Sequence, residues 1–303
     1  MLKSVRYAVL ILNYNTIDDA IRASHSVIEN AENDNYVICI ADNASSNQND
    51  RDKLASLSES KIITTQLSSN GGYAKGNNDA IKYVLKTYDP KYIVVMNPDV
   101  FLIEKGTIEK LIERIENEGY PVIGGQPLVW NFHYGNDPRI QQNIRKVQNA
   151  FDVCLTSFYP LRFIFSKRYK DITYLDKIPY EKEIRYHVPS GAFFVIQKDV
   201  FEKIGMFDEN TFLYYEEHIL GYKLKSHGYM MLFVPSLVVK HEHGKSTGFS
   251  RLSVSKYGMK ATLDSKLYYL NEYLKKGRMT SLTVKVLTYM DFFLKSAIKK
   301  IGN

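Results

Sequence analysis

The first 125 residues switch repeatedly between two hydrophobic patterns, and that switching restricts the fold more than any other feature. Apolar, β-branched runs at 5–14 (VRYAVLILNY), 36–43 (YVICIADN), 61–67 (KIITTQL) and 91–97 (KYIVVMN) read as buried strands. Between them lie helix-patterned segments at 16–30 (TIDDAIRASHSVIEN), 50–59 (DRDKLASLSE) and 73–88 (YAKGNNDAIKYVLKTY). Strands that alternate with helices predict an α/β fold, a Rossmann-like and mostly parallel central sheet with helices on both faces. In such a sheet ligands bind outside the carboxyl ends of the strands.

Those ends are polar. Asn13 and Asn15, Asp42 and Asn43, Ser69 and Asn70, and Asn97 and Asp99 follow the four strands in turn. Asn and Asp are ordinary turn formers, so any one pair favours a turn. Four pairs on one edge favour a binding crevice. The segment 69–78 (SNGGYAKGNN) puts glycines ahead of a helix, where bare N–H groups can cradle phosphate. Its glycines, Gly71, Gly72 and Gly76, match neither the dinucleotide fingerprint nor a P-loop. Asp99 is a hard oxygen ligand suited to Mg²⁺ or Mn²⁺ that bridges to a diphosphate. Spacing alone suits a turn or helix cap ahead of GTIEKLIERIE equally well.

Beyond this alternation the pattern dissolves over 126–187, then returns as a strand and short helix in 190–209. A loop entering a helix follows at 212–229, then two short strands over 230–244. The net charge of +7 is uneven, since residues 240–303 carry 13 Lys+Arg against 4 Asp+Glu and the rest carry 27 against 29. A basic C-terminal segment predicts an anionic partner, nucleic acid or a membrane surface. Cys39 lies in a strand pattern and reads as a buried thiol, far in sequence from Cys154. No leader and no spanning segment is recognisable, so a cytoplasmic location is expected.

Several motifs in order carry a resemblance. LNYN (12–15), DNAS (42–45), NGGYAKGNN (70–78), NPDV (97–100), VPSGAFFVIQKDVFEKIGMFDENTFLYYEE (188–217) and VPSLVVKHEHGKS (234–246) resemble glycosyltransferase family 2. The likeness is greatest to its bacterial rhamnosyltransferase- and galactofuranosyltransferase-like branch, over about residues 5–246. It implies a GT-A fold with a nucleotide-sugar-binding half (1–125), an acceptor-binding and catalytic half (126–246) and a basic helical extension (247–303). It implies an inverting, metal-dependent glycosyltransferase of surface polysaccharide synthesis, acting on a lipid-linked glycan acceptor at the inner face of the bacterial membrane. Nucleic acid is not an expected partner. The donor side implied is Asn13, Asn15, Asp42, Asn43, Asn70, Gly71, Lys75, Asn77, Asn97, Asp99 and Gly191. Asp42 is expected to accept from a pyrimidine N–H, hence a UDP- or dTDP-sugar. Asp99 and His241 are the implied Mg²⁺ or Mn²⁺ ligands, with His243 as an alternate.

The sequence departs from the family pattern twice. Asn97 stands where the metal motif opens with Asp, and Ile219 follows Glu216 and Glu217 where a third carboxylate is usual. Glu217 is the expected general base and Glu216 its runner-up or partner. A nucleotidyltransferase or a non-catalytic nucleotide-sugar-binding protein remains the alternative. On a helical wheel over 282–303, Leu282, Val286, Leu287, Met290, Phe293, Leu294, Ala297, Ile298 and Ile301 share one face, with Val284 and Phe292 off it. That face either packs on the body or meets an anionic membrane surface, together with the aromatic-basic stretch 158–170.

Overall fold

A parallel strand covered by helices on both faces has to be apolar along its length, and the N-terminal strands are. The computed structural model describes residues 2–132, 142–242 and 255–301. In chain order it contains β1 (Lys3–Asn13), α1 (Ile17–Asn30), β2 (Tyr36–Asp42), α2 (Gln48–Ser56), β3 (Ile62–Gln66), α3 (Gly72–Val84) and β4 (Tyr88–Met96). Next come β5 (Val100–Leu102), α4 (Thr107–Glu118), β6 (Val122–Asn131), α5 (Ala150–Ser157), α6 (Tyr159–Ile164), α7 (Ser166–Thr173) and β7 (Ile184–Tyr186). The chain closes with β8 (Phe193–Gln197), α8 (Lys198–Lys203), α9 (Glu216–Ser226), β9 (Met230–His241), α10 (Lys256–Tyr268) and α11 (Arg278–Ile301).

The strands make one sheet in the order β3-β2-β1-β4-β8-β6-β9-β5, with β7 also on β9. Strands β1 to β4 are mutually parallel, β8 runs against both β4 and β6, and β6 and β9 are parallel. The carboxyl ends of β1, β2, β3, β4, β6 and β9 therefore share one edge with the start of β8. Period-two alternation splits β1 between two layers. Tyr7, Val9 and Ile11 pack with α1 and α4, while Ala8 and Leu10 pack with α3, α8 and α9. The start of α1 is held by Asp50, whose Oδ2 accepts from the Ile17 amide at 3.0 Å, and by Asp18 and Asp19 in its first turn.

Three expectations change. The region 230–244 contains one strand, β9, rather than two; its register to β6 shifts beside Pro235, which has no N–H to offer the ladder. The described part of the unpatterned region 126–187 contains the end of β6, the short helices α5, α6 and α7, and β7. Helix α5 opens on a capping box, with Asn149 Oδ1 accepting from the Asp152 amide at 3.0 Å and Asp152 Oδ2 from the Asn149 amide at 3.1 Å. The division placed at 125/126 falls inside β6, in the middle of the common sheet.

Helix α10 and the π-helical turn Tyr269–Tyr273 share a third apolar cluster with α5 and α9: Val153, Tyr215, Ile219, Leu263, Tyr269, Leu270 and Val284. The described C-terminal helices are thus built into the part of the chain that carries Glu216 and Glu217. Helix α11 seats the side off its apolar face. Val284 and Thr288 are buried, and Asp291 pairs with Lys295 at 2.6 Å while accepting from the Tyr159 amide at 2.7 Å. The apolar face points outward, with Leu282 55%, Met290 46%, Phe293 65% and Ile298 53% exposed.

Candidate active site

At the tips of β4, β6 and β9 three polar side chains meet. His241 Nδ1 lies 2.6 Å from Asn131 Oδ1, and His241 Nε2 lies 3.2 Å from Asp99 Oδ1. An amide oxygen only accepts, so the first contact requires the proton on Nδ1. In the neutral ring Nε2 then presents a lone pair to a carboxylate, and two acceptors face one another. A metal ion between them would resolve that opposition. An imidazole and a carboxylate, with the imidazole's far nitrogen anchored, make a donor set that fits Mn²⁺ or Mg²⁺. Asp99 is held in place through its backbone, whose carbonyl accepts from the Glu242 amide at 2.8 Å. Among the described residues no group of three or more His, Cys, Asp or Glu could hold a metal. His243 lies outside the described residues.

Asn97 connects this pair to the glutamates. Its amide donates to the Ala192 carbonyl at 2.9 Å, where β4 ends against the start of β8. Next to Ala192, Gly191 packs directly on Glu217: a Cβ at 191 would lie 2.3 Å from Glu217 Oε1. The Gly191 carbonyl accepts from the Tyr73 hydroxyl at 2.6 Å, which ties in α3. Glu216 and Glu217 open α9 directly after Tyr214 and Tyr215, both left-handed with φ of 68° and 71°. Such a conformation in a bulky residue costs ~1–3 kcal/mol and persists only when its surroundings impose it. Here Tyr215 donates to Gln148 Oε1 at 2.8 Å, Tyr269 donates to the Gln148 carbonyl at 2.7 Å, and Ser265 Oγ donates to the Leu213 carbonyl at 3.1 Å.

The two carboxyls differ in environment. Glu216 is 3% exposed and its Oε2 has no partner. Burial, and then the charge of Glu217, push its carboxyl up to about 8, so it is protonated at neutral pH. Glu217 is half-buried. Burial raises it too, against the opposing pull of the Arg145 guanidinium and the amides of Glu217 and Gly191. Behind them His218 stacks on Tyr215 and is pushed down to about 3 by burial and by Arg145 and Lys266, so it is neutral.

The donor-side residues fall into two groups. Asn13 and Asp42 are wholly buried. Asp42 Oδ1 accepts from Asn13 Nδ2 at 2.8 Å and from Ser45 Oγ, and its Oδ2 from the Ser45 amide at 3.0 Å. Its carboxylate fastens the tips of β1 and β2, and the base contact expected of it does not follow from this placement. Asn77 is likewise internal, donating to the Tyr73 carbonyl at 2.9 Å. Lys75 crosses Gly71 and pairs with Asp79 at 2.8 Å. Asn70 and Asn43 face one another, with Asn43 Nδ2 donating to Asn70 Oδ1 at 3.0 Å, while Asn43 Oδ1 is a buried acceptor without a partner. Asn15 is left-handed, and its Oδ1 accepts from the Asn47 amide at 3.1 Å.

Sequence reasoning missed Asn131, Arg145, Tyr73 and Gln148. Only Asn131 carried a signal, since GGQPLVWN is another apolar run with a polar tip.

The comparisons with known proteins bear on the fold and the family. N-acetylglucosaminyl-diphospho-decaprenol L-rhamnosyltransferase of Mycobacterium tuberculosis is 27% identical over 159 residues, 52% of this chain and 48% of the relative. The chain therefore spans about half the length of the curated relatives it matches. Among solved structures, GalNAc-T7 with UDP, GalNAc and Mn²⁺ superposes with a TM-score of 0.60 at 17% identity, covering 89% of this chain and 49% of that one. TarS 1–349 of S. aureus with UDP-GlcNAc superposes with a TM-score of 0.54 at 10% identity, covering 93% and 71%. Both likenesses concern the fold, which is that of GT-A glycosyltransferases. With the glycosyl transferase family 2 model matching residues 8–205, up to the end of α8, the chain belongs to that family.

Proposed function

We propose that this protein transfers a glycosyl group from a UDP- or dTDP-sugar to a hydroxyl of a lipid-linked glycan, with inversion, and that Glu217 is the general base. The observation that carries this reading is the junction Asn97–Ala192–Gly191, which joins the Asp99–His241 pair to Glu217 at one end of the sheet. The half-buried carboxyl of Glu217 accepts the acceptor's hydroxyl proton as its oxygen bonds the anomeric carbon and the bond to the diphosphate breaks. Glu216, its own carboxyl pushed up by burial and by the charge of Glu217, lies directly beside it. The amides of Gly191 and Glu217 favour the charged form of the Glu217 carboxyl. Asp99 and His241 would hold Mg²⁺ or Mn²⁺, and bound metal would offset the charge that grows on the leaving diphosphate. The curated relative's name, a rhamnosyltransferase on a decaprenol-linked substrate, supports the lipid-linked acceptor and a deoxyhexosyl donor.

The outward apolar face of α11 supports work at a membrane surface. No helix among the described residues is long and apolar enough to cross one. Helix α6 adds exposed Phe163 and Ile164, and the contact between Tyr159 and Asp291 places its start against α11. The test is thermal shift with UDP, dTDP and GDP, with and without Mn²⁺, followed by product analysis with UDP- and dTDP-sugars. A Mn²⁺-dependent shift by UDP or dTDP, with release of the nucleoside diphosphate, is expected. Release of pyrophosphate would instead mark a nucleotidyltransferase.

A further inference from the structure

Between the end of α10 and the start of α11 lies an open cleft of about 610 Å³. Three cations line it, Lys276, Arg278 and Lys285, together with apolar Leu267, Met279 and Leu282 and with no acidic side chain. Among the described residues none of the three cations meets a carboxylate, whereas the neighbouring Lys275 pairs with Glu272 at 3.7 Å. Asn271 and Ser281, one from each side, are joined by a 2.9 Å hydrogen bond that fixes the gap between the two segments. Leu282 is both a wall of the cleft and the first member of the outward apolar face that continues through Val286, Met290, Phe293 and Ile298.

A concentration of positive charge in a concave site selects an anion with several oxygen acceptors. An apolar stripe that begins at the same site selects a ligand with a hydrocarbon part beyond its anionic head. A polynucleotide would leave that apolar stripe without a partner. We propose that this cleft binds the phosphate head of an anionic lipid whose chains lie along the outward face of α11. This rests on the membrane reading above and adds to it a defined headgroup site. Lys276, Arg278 and Lys285 hold the phosphate oxygens, and Met279 and Leu282 enter the acyl boundary.

The test uses the full chain and sedimentation with phosphatidylcholine vesicles, either pure or containing phosphatidic acid, at 150 mM salt (roughly the physiological level). The Lys276→Gln, Arg278→Gln, Lys285→Gln variant is compared with a control, Lys86→Gln, Lys105→Gln, Lys182→Gln, that removes as many exposed lysines from the body. The proposal expects the first variant to lose at least about tenfold in affinity for phosphatidic-acid vesicles and the control, whose lysines do not line the cleft, less than about twofold. Equal losses in the two variants, or none in the first, overturn the site while leaving membrane binding in place. A parent chain that binds no anionic vesicle at low salt overturns the membrane reading and the site together. Inorganic phosphate forms the remaining arm. If it raises the melting temperature of the parent but not of the cleft variant, and lipid binding is unchanged between them, the cleft takes free phosphate and the lipid assignment is wrong.

Discussion

Gly191 and Glu217 are fitted to one another: the space a Cβ would occupy at residue 191 is filled by the Glu217 carboxylate, 2.3 Å from Oε1. The head of β8 and the head of α9 are therefore matched at the one point where the proposed base meets the sheet. Gly191→Ala should displace Glu217 while leaving the tips of β1, β2 and α3 in place. We expect turnover to fall ~10²-fold with nucleotide affinity within about twofold, because a misplacement near 1 Å costs about that much. Steady-state kinetics with nucleotide titration checks the split.

The Asp99–His241 contact predicts a graded response to substitution. Asp99→Asn should abolish the Mn²⁺-dependent part of nucleotide binding without unfolding the protein. Asn131→Leu removes the acceptor that fixes the His241 ring. It should raise the Mn²⁺ concentration needed for half-maximal nucleotide binding by ~10-fold or more, as outer-shell partners of metal-binding histidines do. Calorimetric titration of nucleotide at stepped Mn²⁺ concentrations measures both.

Glu216 predicts how stability varies with pH. Its carboxyl is raised from 4.5 to about 8 in the folded protein, so between these values the native state holds a proton that the unfolded chain has released. The stabilising contribution is complete below the unfolded value and is lost as pH rises to about 8, at up to ~1.4 kcal/mol per pH unit. Glu216→Gln removes the titration. Its stability relative to the parent should rise from pH 5 to 8 and level off above, as read by denaturant unfolding across that range (roughly the span between the two carboxyl values).

The inside-out seating of α11 predicts opposite outcomes for two substitutions of similar appearance. Val284 is fully buried among Tyr215, Tyr269 and Leu270, so Val284→Asp places an unpaired carboxylate in that cluster. It should destabilise by ~3 kcal/mol or more. Phe293→Gln, at a position 65% exposed, should leave the melting temperature nearly unchanged while weakening vesicle binding. Thermal unfolding of the two variants decides it.

The strands and the shared edge of their tips were legible because buried parallel strands are written as unbroken apolar runs, and because the tips of parallel strands converge. Asp42 shows the limit of that reasoning. Its position at a tip was readable, but whether its carboxylate faces a ligand or Asn13 and Ser45 depends on side-chain partners from another strand and turn. The helices over 150–173 were obscured because their aromatic and basic residues follow no single amphipathic period, and only the Asn149–Asp152 pair marked a start. Arg145 acts on Glu217 across a long stretch of chain, and nothing local announces that. The wheel over α11 identified its apolar face correctly, but a wheel does not say which face meets the body. Small Thr288 and the pairing of Asp291 with Lys295 and the Tyr159 amide let the other face pack.

The central claim is that Glu217 takes the acceptor proton, and Glu217→Gln tests it most directly. The change keeps the side chain's length and its ability to accept from the Gly191 amide, but removes its basicity. The measurement is single-turnover transfer with saturating nucleotide sugar and Mn²⁺, together with the dissociation constant of the donor. The account predicts a loss of ~10²-fold or more in the transfer rate with donor affinity unchanged. Transfer at the parental rate in Glu217→Gln, or a comparable loss confined to Glu216→Gln, would contradict it.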